Sequence, residues 1–492
     1  MNCLRPHKNR IISVLFVALL ALGACGADDP PGNGTGSGTS DKTPIGLTAP
    51  EFCAKCHPQH YDEWRTSMHA YGSVDPVFVA MNALAMKQTG GKVGQFCITC
   101  HAPSAAFRKQ TPIGINAQGD HVMPLDLENP IITNGVQCIT CHSIEKVNAT
   151  ANGQLALSDN VLYGPTATAE ALQAHPIEKS QTLVSSSMCG SCHNVINPAG
   201  TLVENTFSEW YNSKYNAADP TKRTRCQDCH MPSYQGRITD DSAVKTLHRH
   251  TFVGVDQALI KGFPGKAEQA ELVRKLLRGA ATTTLERRPD VGDDAIFRFS
   301  VTNDKTGHNL PSGATADRQM WVHIRYGACS EIKQGDQVVG YAEAIDENKK
   351  EAVTDVSGML DDNGDLMDGL HGTPKDGDPQ LMLFNQIFYG GPNCPKQTIV
   401  PPPGACNPVT FPWAARRSED YLIPVGATRY RDYHIPRAKL AAIGGKACVE
   451  ARLLFRTFPQ HLVTELQKAG VLKANALEPL PVVEMAKIVK QF

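Results

Sequence analysis

The stretch Cys53-Ala54-Lys55-Cys56-His57 is the first of five copies of a C-x-x-C-H pattern that decides how this chain folds. Motifs 2 to 5 follow as Cys97-Ile98-Thr99-Cys100-His101, Cys138-Ile139-Thr140-Cys141-His142, Cys189-Gly190-Ser191-Cys192-His193 and Cys226-Gln227-Asp228-Cys229-His230. Two cysteines at this spacing lie on one helical turn and can each form a thioether with a haem vinyl group, and the next histidine lies under the iron as proximal ligand. Five copies, each followed by histidine, favour this interpretation over a zinc knuckle or a redox C-x-x-C pair. The motifs predict five covalently bound haem c groups.

The overall composition is that of a globular protein with an unusual number of cysteines. The 492 residues are 41% hydrophobic and 20% charged, which excludes disorder for most of the chain. The net charge of −1 provides no long-range field that would favour nucleic acid, so we expect no nucleic-acid partner. Sixteen cysteines indicate a metal site or an oxidising compartment.

The N-terminus has the pattern of an export signal, predicted over residues 1–24. Basic residues precede an apolar run, 11–22, that is too short to span a bilayer as a helix of about 20 residues. The run ends in Leu22-Gly23-Ala24-Cys25, which resembles a bacterial lipobox and predicts a lipid anchor on Cys25. A plain signal-peptidase site that leaves Cys25 as a free thiol is the alternative.

Residues 25–50 are rich in Gly, Ser, Thr and Pro and predict a flexible tether. We therefore expect a protein anchored outside the cytoplasm, in the periplasm or at the outer membrane, with the cell surface also open. Gly26, next to the lipidated position, weakly favours the outer membrane, while Asp28 and Asp29 leave the inner membrane open.

Four cysteines remain once the signal, the anchor and the haem motifs are accounted for. They are Cys329, Cys394, Cys406 and Cys448. An even remainder in an oxidising compartment predicts two disulfides. Cys394 and Cys406 flank a Pro-rich loop, which favours their pairing and leaves Cys329 with Cys448; the other two pairings remain open.

The sixth ligands of the haem irons decide between an electron carrier and an enzyme, because an iron with two histidine ligands cannot bind substrate without losing one. Eleven histidines remain for five positions after the proximal ligands and His7 of the signal are removed. The predicted sixth ligands are His69, His121, His175, His250 and His308. The reserves are His60 and His248, and the methionine candidates are Met68, Met123 and Met231.

The residues around the motifs resemble multihaem c-type cytochromes. The resemblance is carried by Trp64…Ser67-Met68-His69-Ala70, Gly135-Val136 before motif 3, Tyr163-Gly164-Pro165…His175 and Glu209-Trp210 before motif 5. The relevant branch is related to the tetrahaem electron carrier of ammonia oxidisers and to the haem domains of hydroxylamine and tetrathionate enzymes. The resemblance implies mostly bis-histidine haems, with His69, His175, His250 and His308 as distal ligands. No C-x-x-C-K motif is present, so the nitrite reductase signature is absent.

The predicted fold class is α+β: a haem-packed, mostly helical and loop multihaem cytochrome domain followed by a β-sandwich-like domain. The predicted boundaries are 51–255 for the pentahaem domain, 256–292 for a connecting segment with a helix over Lys266 to Arg278, and 293–492 for the β-rich domain. Apolar residues alternate with polar ones at 297–301 and 320–326, which is strand spacing. A last helix is predicted over Gln460 to Ala469. By resemblance, Val301-Thr302-Asn303…Gly307-His308-Asn309-Leu310-Pro311-Ser312-Gly313 opens a β domain found on some of these cytochromes.

Two charged segments have alternative interpretations. Asp361-Asp362-Asn363-Gly364-Asp365 begins like a calcium loop but lacks the later glycine and glutamate of an EF-hand, so an acidic loop is favoured over an irregular calcium site. Lys222, Arg223 and Arg225, just before motif 5, either neutralise haem propionates or face water.

The function predicted from these features is electron transfer by a membrane-anchored pentahaem cytochrome in a respiratory chain outside the cytoplasm, between a donor and an acceptor redox protein. The alternative is an oxidoreductase that acts on a small nitrogen or sulfur compound at a five-coordinate haem. A third interpretation is a subunit of a haem filament. Whether the protein is an enzyme stays open, with the carrier favoured.

Overall fold

Short helices and two-residue to four-residue strands make up the part of the chain that carries the five motifs. The computed structural model describes residues 49–123, 125–168, 175–334, 353–370, 377–443 and 446–492. The predicted signal, Cys25 and nearly all of the predicted tether lie outside these residues. The helices of this part are α1 (Pro50–Ala54), α2 (Pro58–Arg65), α3 (Met68–Tyr71), α4 (Pro76–Gln88), α5 (Ile98–His101), α6 (Pro103–Phe107), α7 (Pro130–Thr133), α8 (Cys138–His142), α9 (Ser186–Gly190), α10 (Thr206–Tyr211) and α11 (Cys226–His230).

The strands among these helices pair as two-stranded ribbons. They are β1 (Gly114–Ile115), β2 (His121–Val122), β3 (Ile144–Val147), β4 (Leu155–Leu157), β5 (Leu162–Gly164), β6 (Ile177–Lys179), β7 (Val195–Ile196), β8 (Leu202–Glu204), β9 (Ser233–Gly236) and β10 (Lys245–His248). Helices and ribbons of this length bury little apolar surface of their own. Bound porphyrins would add apolar surface to the cluster around Phe78 and Ile98 that this part does form.

Long strands dominate from residue 282 onward, after α12 (Lys266–Arg278), which spans the predicted connecting helix. The strands are β11 (Thr282–Val291), β12 (Asp294–Thr302), β13 (Gln319–Ala328), β14 (Val353–Ser357), β15 (Met382–Phe384), β16 (Gln386–Gly390), β17 (Asn407–Pro408), β18 (Arg417–Asp420), β19 (Thr428–Pro436), β20 (Ala447–Arg456) and β21 (Val482–Gln491). The helices in this region are α13 (Cys329–Gln334), α14 (Arg437–Ala442) and α15 (Gln460–Lys468). The predicted α+β class, the strands around 297–301 and 320–326, and both predicted helices are confirmed.

Two antiparallel sheets share the largest apolar core. One has the order β11-β12-β19, and the other has the order β14-β13-β20-β21 with β15 also paired to β13. Phe297, Phe299 and Val301 of β12 are fully buried, whereas the side chains between them are partly exposed. They belong to the same cluster as Met320 and Val322 of β13, so the two sheets pack face to face.

Strand β20 is buried along its whole length because both of its faces are covered. One face contributes Val449, Ala451 and Leu453 to the core between the sheets. On the same strand Glu450, fully buried, accepts hydrogen bonds from Arg325 Nε at 2.7 Å and Arg452 Nε at 2.6 Å. A buried charge is tolerated when it is paired in this way.

The β part also packs on the haem-motif part. Leu462 and Leu466 of α15 lie in one apolar cluster with Val77 and Leu84 of α4. Among the described residues no helix is long and apolar enough to cross a membrane.

The acidic stretch over 361–365 forms a closed turn. The Asp361 carboxylate accepts the backbone N–H groups of Asn363 at 3.0 Å and Asp365 at 2.8 Å, and Asp365 accepts that of His461 at 2.8 Å. Backbone donors thus occupy these carboxylates, and Asp365 is buried whereas Asp362 and Asn363 are exposed.

Both predicted disulfides are present, Cys329–Cys448 and Cys394–Cys406. They close sequence separations of 119 and 12 residues respectively.

Because a crosslink stabilises mainly by restricting the unfolded chain, we expect replacement of Cys329 and Cys448 by alanine to lower the free energy of unfolding by about 5 kcal/mol. The same change at Cys394 and Cys406 should lower it by about 3 kcal/mol. Denaturant unfolding checks the order of the two variants. A larger loss from the short-loop pair would contradict it, and alkylation of any of the four cysteines in unreduced native protein would contradict the pairing.

Candidate haem-binding site

Each motif places its cysteines and histidine on one helical turn. In motif 1 the backbone N–H of His57 donates to the carbonyl of Cys53 at 2.8 Å, and in motif 4 that of His193 donates to Cys189 at 2.9 Å. Motifs 3 and 5 form α8 and α11 from first residue to last. None of the ten motif cysteines takes part in a disulfide, so all ten are available for thioether bonds to haem vinyl groups.

The five motif histidines share one further property, a hydrogen bond at Nδ1. The acceptors are Ile238 O for His57 at 2.8 Å, Gly72 O for His101 at 2.8 Å, Tyr163 O for His142 at 2.8 Å, Glu204 Oε1 for His193 at 3.1 Å and Val253 O for His230 at 2.7 Å. A proton held on Nδ1 leaves Nε2 with its lone pair, which is the form that binds a metal. The donor set therefore fits five haem irons.

Three of the predicted sixth ligands face motif histidines. The facing rings are His250 and His142, His308 and His230, and His69 and His193, with centroids 6.4 Å apart in each case. Because a metal–imidazole nitrogen bond is about 2 Å long, two imidazoles on opposite sides of one metal have centroids about 6 Å apart. The first two pairs are nearly parallel, at 16° and 18°, and the third is tilted by 41°.

Burial keeps these three facing imidazoles neutral. It lowers the pKa of His69 and of His250 to about 3 and the pKa of His308 to about 4. A neutral imidazole is the form that binds a metal. His69 Nδ1 is buried without a hydrogen-bond partner.

The position of His69 depends on a close approach between two segments. Gly135 has a φ of +57°, and a Cβ there would lie 2.3 Å from the carbonyl oxygen of His69. The next residue, Val136, donates its N–H to that same oxygen at 2.9 Å. Only glycine lets the chain before motif 3 lie directly against α3.

The surroundings of His57 contain two more histidines. Burial and the nearby His57 lower the pKa of His175, whose Nδ1 is buried; His175 also lies near His142. The His60 ring lies 6.5 Å from the His57 ring at 69°, and 4.5 Å from that of His250. His248 is held by a hydrogen bond between its Nδ1 and Met231 O at 2.6 Å.

His101 of motif 2 is different, because among the described residues no histidine ring pairs with it. Instead Phe78 of α4 stacks on its ring, with centroids 3.8 Å apart and planes at 6°. His121 lies on β2, where its ring packs against Gly91, and it stays a prediction as a sixth ligand. Met123 is buried in the apolar cluster that also contains Phe78 and Ile98.

Thiol contacts join the motifs to one another. Cys53 lies close to Cys138, Cys100 to Cys192, and Cys189 to Cys226, near enough for each pair to shift one another's pKa. Motif 1 therefore touches motif 3, motif 2 touches motif 4, and motif 4 touches motif 5. Cys141 of motif 3 also interacts electrostatically with Cys192 of motif 4.

Only two of the ten motif thiols are exposed in the described structure, and they belong to motifs 1 and 5. These are Cys56 and Cys229, whereas the other eight are partly buried. Motif 1 and motif 5 therefore each have one cysteine exposed to solvent.

The basic residues before motif 5 bond to protein groups. Arg225 pairs with Asp228 at 2.6 Å, Lys222 lies 3.8 Å from Asp219, and Arg223 Nε donates to Ala217 O at 3.0 Å. Lys222 nevertheless keeps 78% of its side chain exposed. These contacts are compatible with the water-facing alternative.

Sequence reasoning missed several residues that shape the site. Glu204 holds His193, Phe78 stacks on His101, and Phe252, with a φ of +45°, lies 4.5 Å from the His69 ring. Glu209 was noticed only as part of a resemblance, yet it contacts the loop of His308. No local pattern marks such residues, because their partners are distant in sequence.

Comparisons with known proteins point to multihaem cytochromes. A family profile described as cytochrome c554 and c-prime matches residues 52–143, which contain motifs 1 to 3. A penta-heme cytochrome c552 from Thermochromatium tepidum has a similar fold, with a TM-score of 0.56 and 21% sequence identity. The match covers 91% of this chain and 100% of that one.

These findings support a multihaem c-type cytochrome. They also support a haem-based electron-transfer role, because haem iron supplies one-electron chemistry. No curated protein matches the cytochrome significantly.

Proposed function

We propose that this cytochrome is a lipid-anchored pentahaem carrier that relays single electrons in a respiratory chain outside the cytoplasm. The observation that carries the proposal is the closeness of cysteines from different motifs, which links all five motifs to one another. A carrier needs its redox groups next to one another, and here the protein holds the attachment points of neighbouring groups in contact.

The facing rings assign most of the ligands. Motif 3 takes His250 as its sixth ligand, motif 4 takes His69, and motif 5 takes His308. For motif 1 we assign His175, which lies near His57 and has a buried Nδ1; His142, which it also approaches, is faced by His250. Saturated irons of this kind exchange electrons without binding substrate.

The contacts also order the motifs as 1, 3, 4 and 5, with motif 2 beside motif 4. The exposed thiols lie at the two ends of this order, at Cys56 and Cys229. We therefore assign the donor and acceptor redox proteins to the surfaces around motifs 1 and 5. A lipid on Cys25, supported by the lipobox resemblance, would keep both surfaces near the membrane.

Intact mass spectrometry of the exported protein tests the stoichiometry. We expect the chain to begin at Cys25 and to exceed the polypeptide mass by five haems and the acyl groups of the anchor. A matched Cys25→Ser variant should keep the five haems and lose the acyl groups. Four haems would contradict the cofactor count, and an unacylated Cys25 would contradict the anchor.

One observation favours a second candidate function. Among the described residues no imidazole ring faces His101 of motif 2. Instead the ring of Phe78 stacks on it. A five-coordinate haem there would allow an oxidoreductase that acts on a small nitrogen or sulfur compound. Carbon monoxide binding to reduced native protein tests this: one equivalent favours the enzyme, and none favours a sixth ligand such as His121.

A further inference from the structure

Hydrogen bonds fasten the loop that carries His308 to a helix of the haem-motif part. It connects β12 to β13 in the β part, and it lies against α10, between motifs 4 and 5. Glu209 Oε2 accepts the backbone N–H of Asn309 at 3.1 Å and the hydroxyl of Ser312 at 2.7 Å. Thr206 Oγ1 accepts the N–H of Gly313 at 3.0 Å. One carboxylate oxygen therefore holds two points of the loop.

The residue that Glu209 holds also orients the His308 ring. His308 Nδ1 lies 2.9 Å from the carbonyl oxygen of Asn309, the residue whose N–H Glu209 accepts. The His308 carbonyl is fixed in turn by Asn303 Nδ2 at 2.9 Å and Thr306 Oγ1 at 2.6 Å. With Nδ1 turned to Asn309, Nε2 is left for a metal on the side of His230, whose ring lies 6.4 Å away.

Glu209 has little other reason to be buried here. Burial raises its pKa to about 7, although the hydrogen bonds from Ser312 and Asn309 act in the opposite direction. Burying a carboxylate costs free energy unless the carboxylate is hydrogen-bonded, and Glu209 bonds to Asn309 and Ser312 of the His308 loop.

We propose that Glu209 is a positioning residue that holds His308 as the sixth ligand of the motif 5 haem. The proposal rests on the proposed function, in which His308 is that ligand. Glu209 acts through Asn309 and Ser312 and does not itself touch the haem iron. It thereby couples the haem-motif part to the ligand supplied by the β part.

The test compares Glu209→Leu with Glu209→Gln in the full-length, haem-loaded protein. Leucine fills a similar volume and accepts no hydrogen bond, whereas glutamine keeps one oxygen, which is all that both bonds use. For Glu209→Leu we expect the high-spin fraction of one haem, measured by electron paramagnetic resonance, to rise about tenfold or more. This is the change in the bound-to-unbound ratio of His308 that the loss of one charge-assisted hydrogen bond would cause. Glu209→Gln should stay low-spin, and added imidazole should restore the low-spin signal of Glu209→Leu.

Ser312→Ala provides a milder variant should Glu209→Leu fail to fold, and a smaller rise in the same signal is expected from it. A native-like spectrum of Glu209→Leu, or of Ser312→Ala when only that variant folds, overturns the proposal, as does an equal effect of leucine and glutamine. Failure of the underlying ligation is distinguished by His308→Ala. If that variant is also wholly native-like, His308 is no ligand at all; if it turns high-spin while Glu209→Leu does not, only the positioning role fails.

Discussion

Replacing His308 with alanine is expected to add one high-spin haem to the oxidised cytochrome and one equivalent of carbon monoxide binding to the reduced form. His308 is half-buried, and its ring faces that of His230 at 6.4 Å and 18°. Methyl in place of imidazole leaves the iron above motif 5 without its second nitrogen, and no other histidine of the described residues has its ring paired with His230. The measurements are electron paramagnetic resonance of the oxidised protein and carbon monoxide titration of the reduced one.

The control is His434→Ala, which removes an exposed histidine of β19 that pairs with Asp294 and lies in the β sheet. Its spectrum should match the native one. The His308→Ala protein should also unfold at lower temperature than this control, because the ligand joins the β part to motif 5. An unchanged spin state in His308→Ala would remove His308 from the ligands and shift weight to the enzyme interpretation.

Loss of motif 4 is expected to slow electron transfer between the ends of the molecule by orders of magnitude, whereas loss of motif 2 is expected to leave it nearly unchanged. The variants are Cys189→Ala with Cys192→Ala, and Cys97→Ala with Cys100→Ala. Both remove one attachment site from the core. They differ because motif 4 contacts motifs 2, 3 and 5, while the contacts of motif 2 lead to motif 4.

The rate is measured with a photoreductant attached at Asp62→Cys, an exposed position of α2 next to motif 1. The His308→Ala background makes the haem of motif 5 spectroscopically distinct, so its reduction is followed directly after a flash. Circular dichroism verifies that both variants fold. Equal slowing by the two variants would contradict the branched order of motifs.

The parts of the fold that were predictable from sequence are those set by local pattern. Apolar residues at helical spacing predicted α12, and alternation at Phe297, Phe299 and Val301 predicted β12, because each period reports which side is buried. The cysteine count predicted two disulfides. Cys394 and Cys406 flank a Pro-rich loop, which favoured their pairing and left Cys329 with Cys448 as the second pair.

The rest depends on contacts between distant segments. Nothing in the spacing of the motifs indicates that Cys53 meets Cys138 and not the nearer Cys97. For the same reason both His121 and His250 were predicted as ligands from sequence, although of these two only His250 faces a motif histidine. The stacking of Phe78 on His101 arises from tertiary packing, and no periodic pattern in the sequence predicts it.

The origin of His308 in the β part has a consequence for maturation. In the chain, motif 5 precedes His308, and His308 precedes β20, the strand that pairs with β13. If His308 ligates the haem of motif 5 as proposed, synthesis from the N-terminus would make the thiols of motif 5 available for haem attachment before His308 could reach the iron. Completion of the C-terminal strands would then bring the histidine to a haem that is already attached.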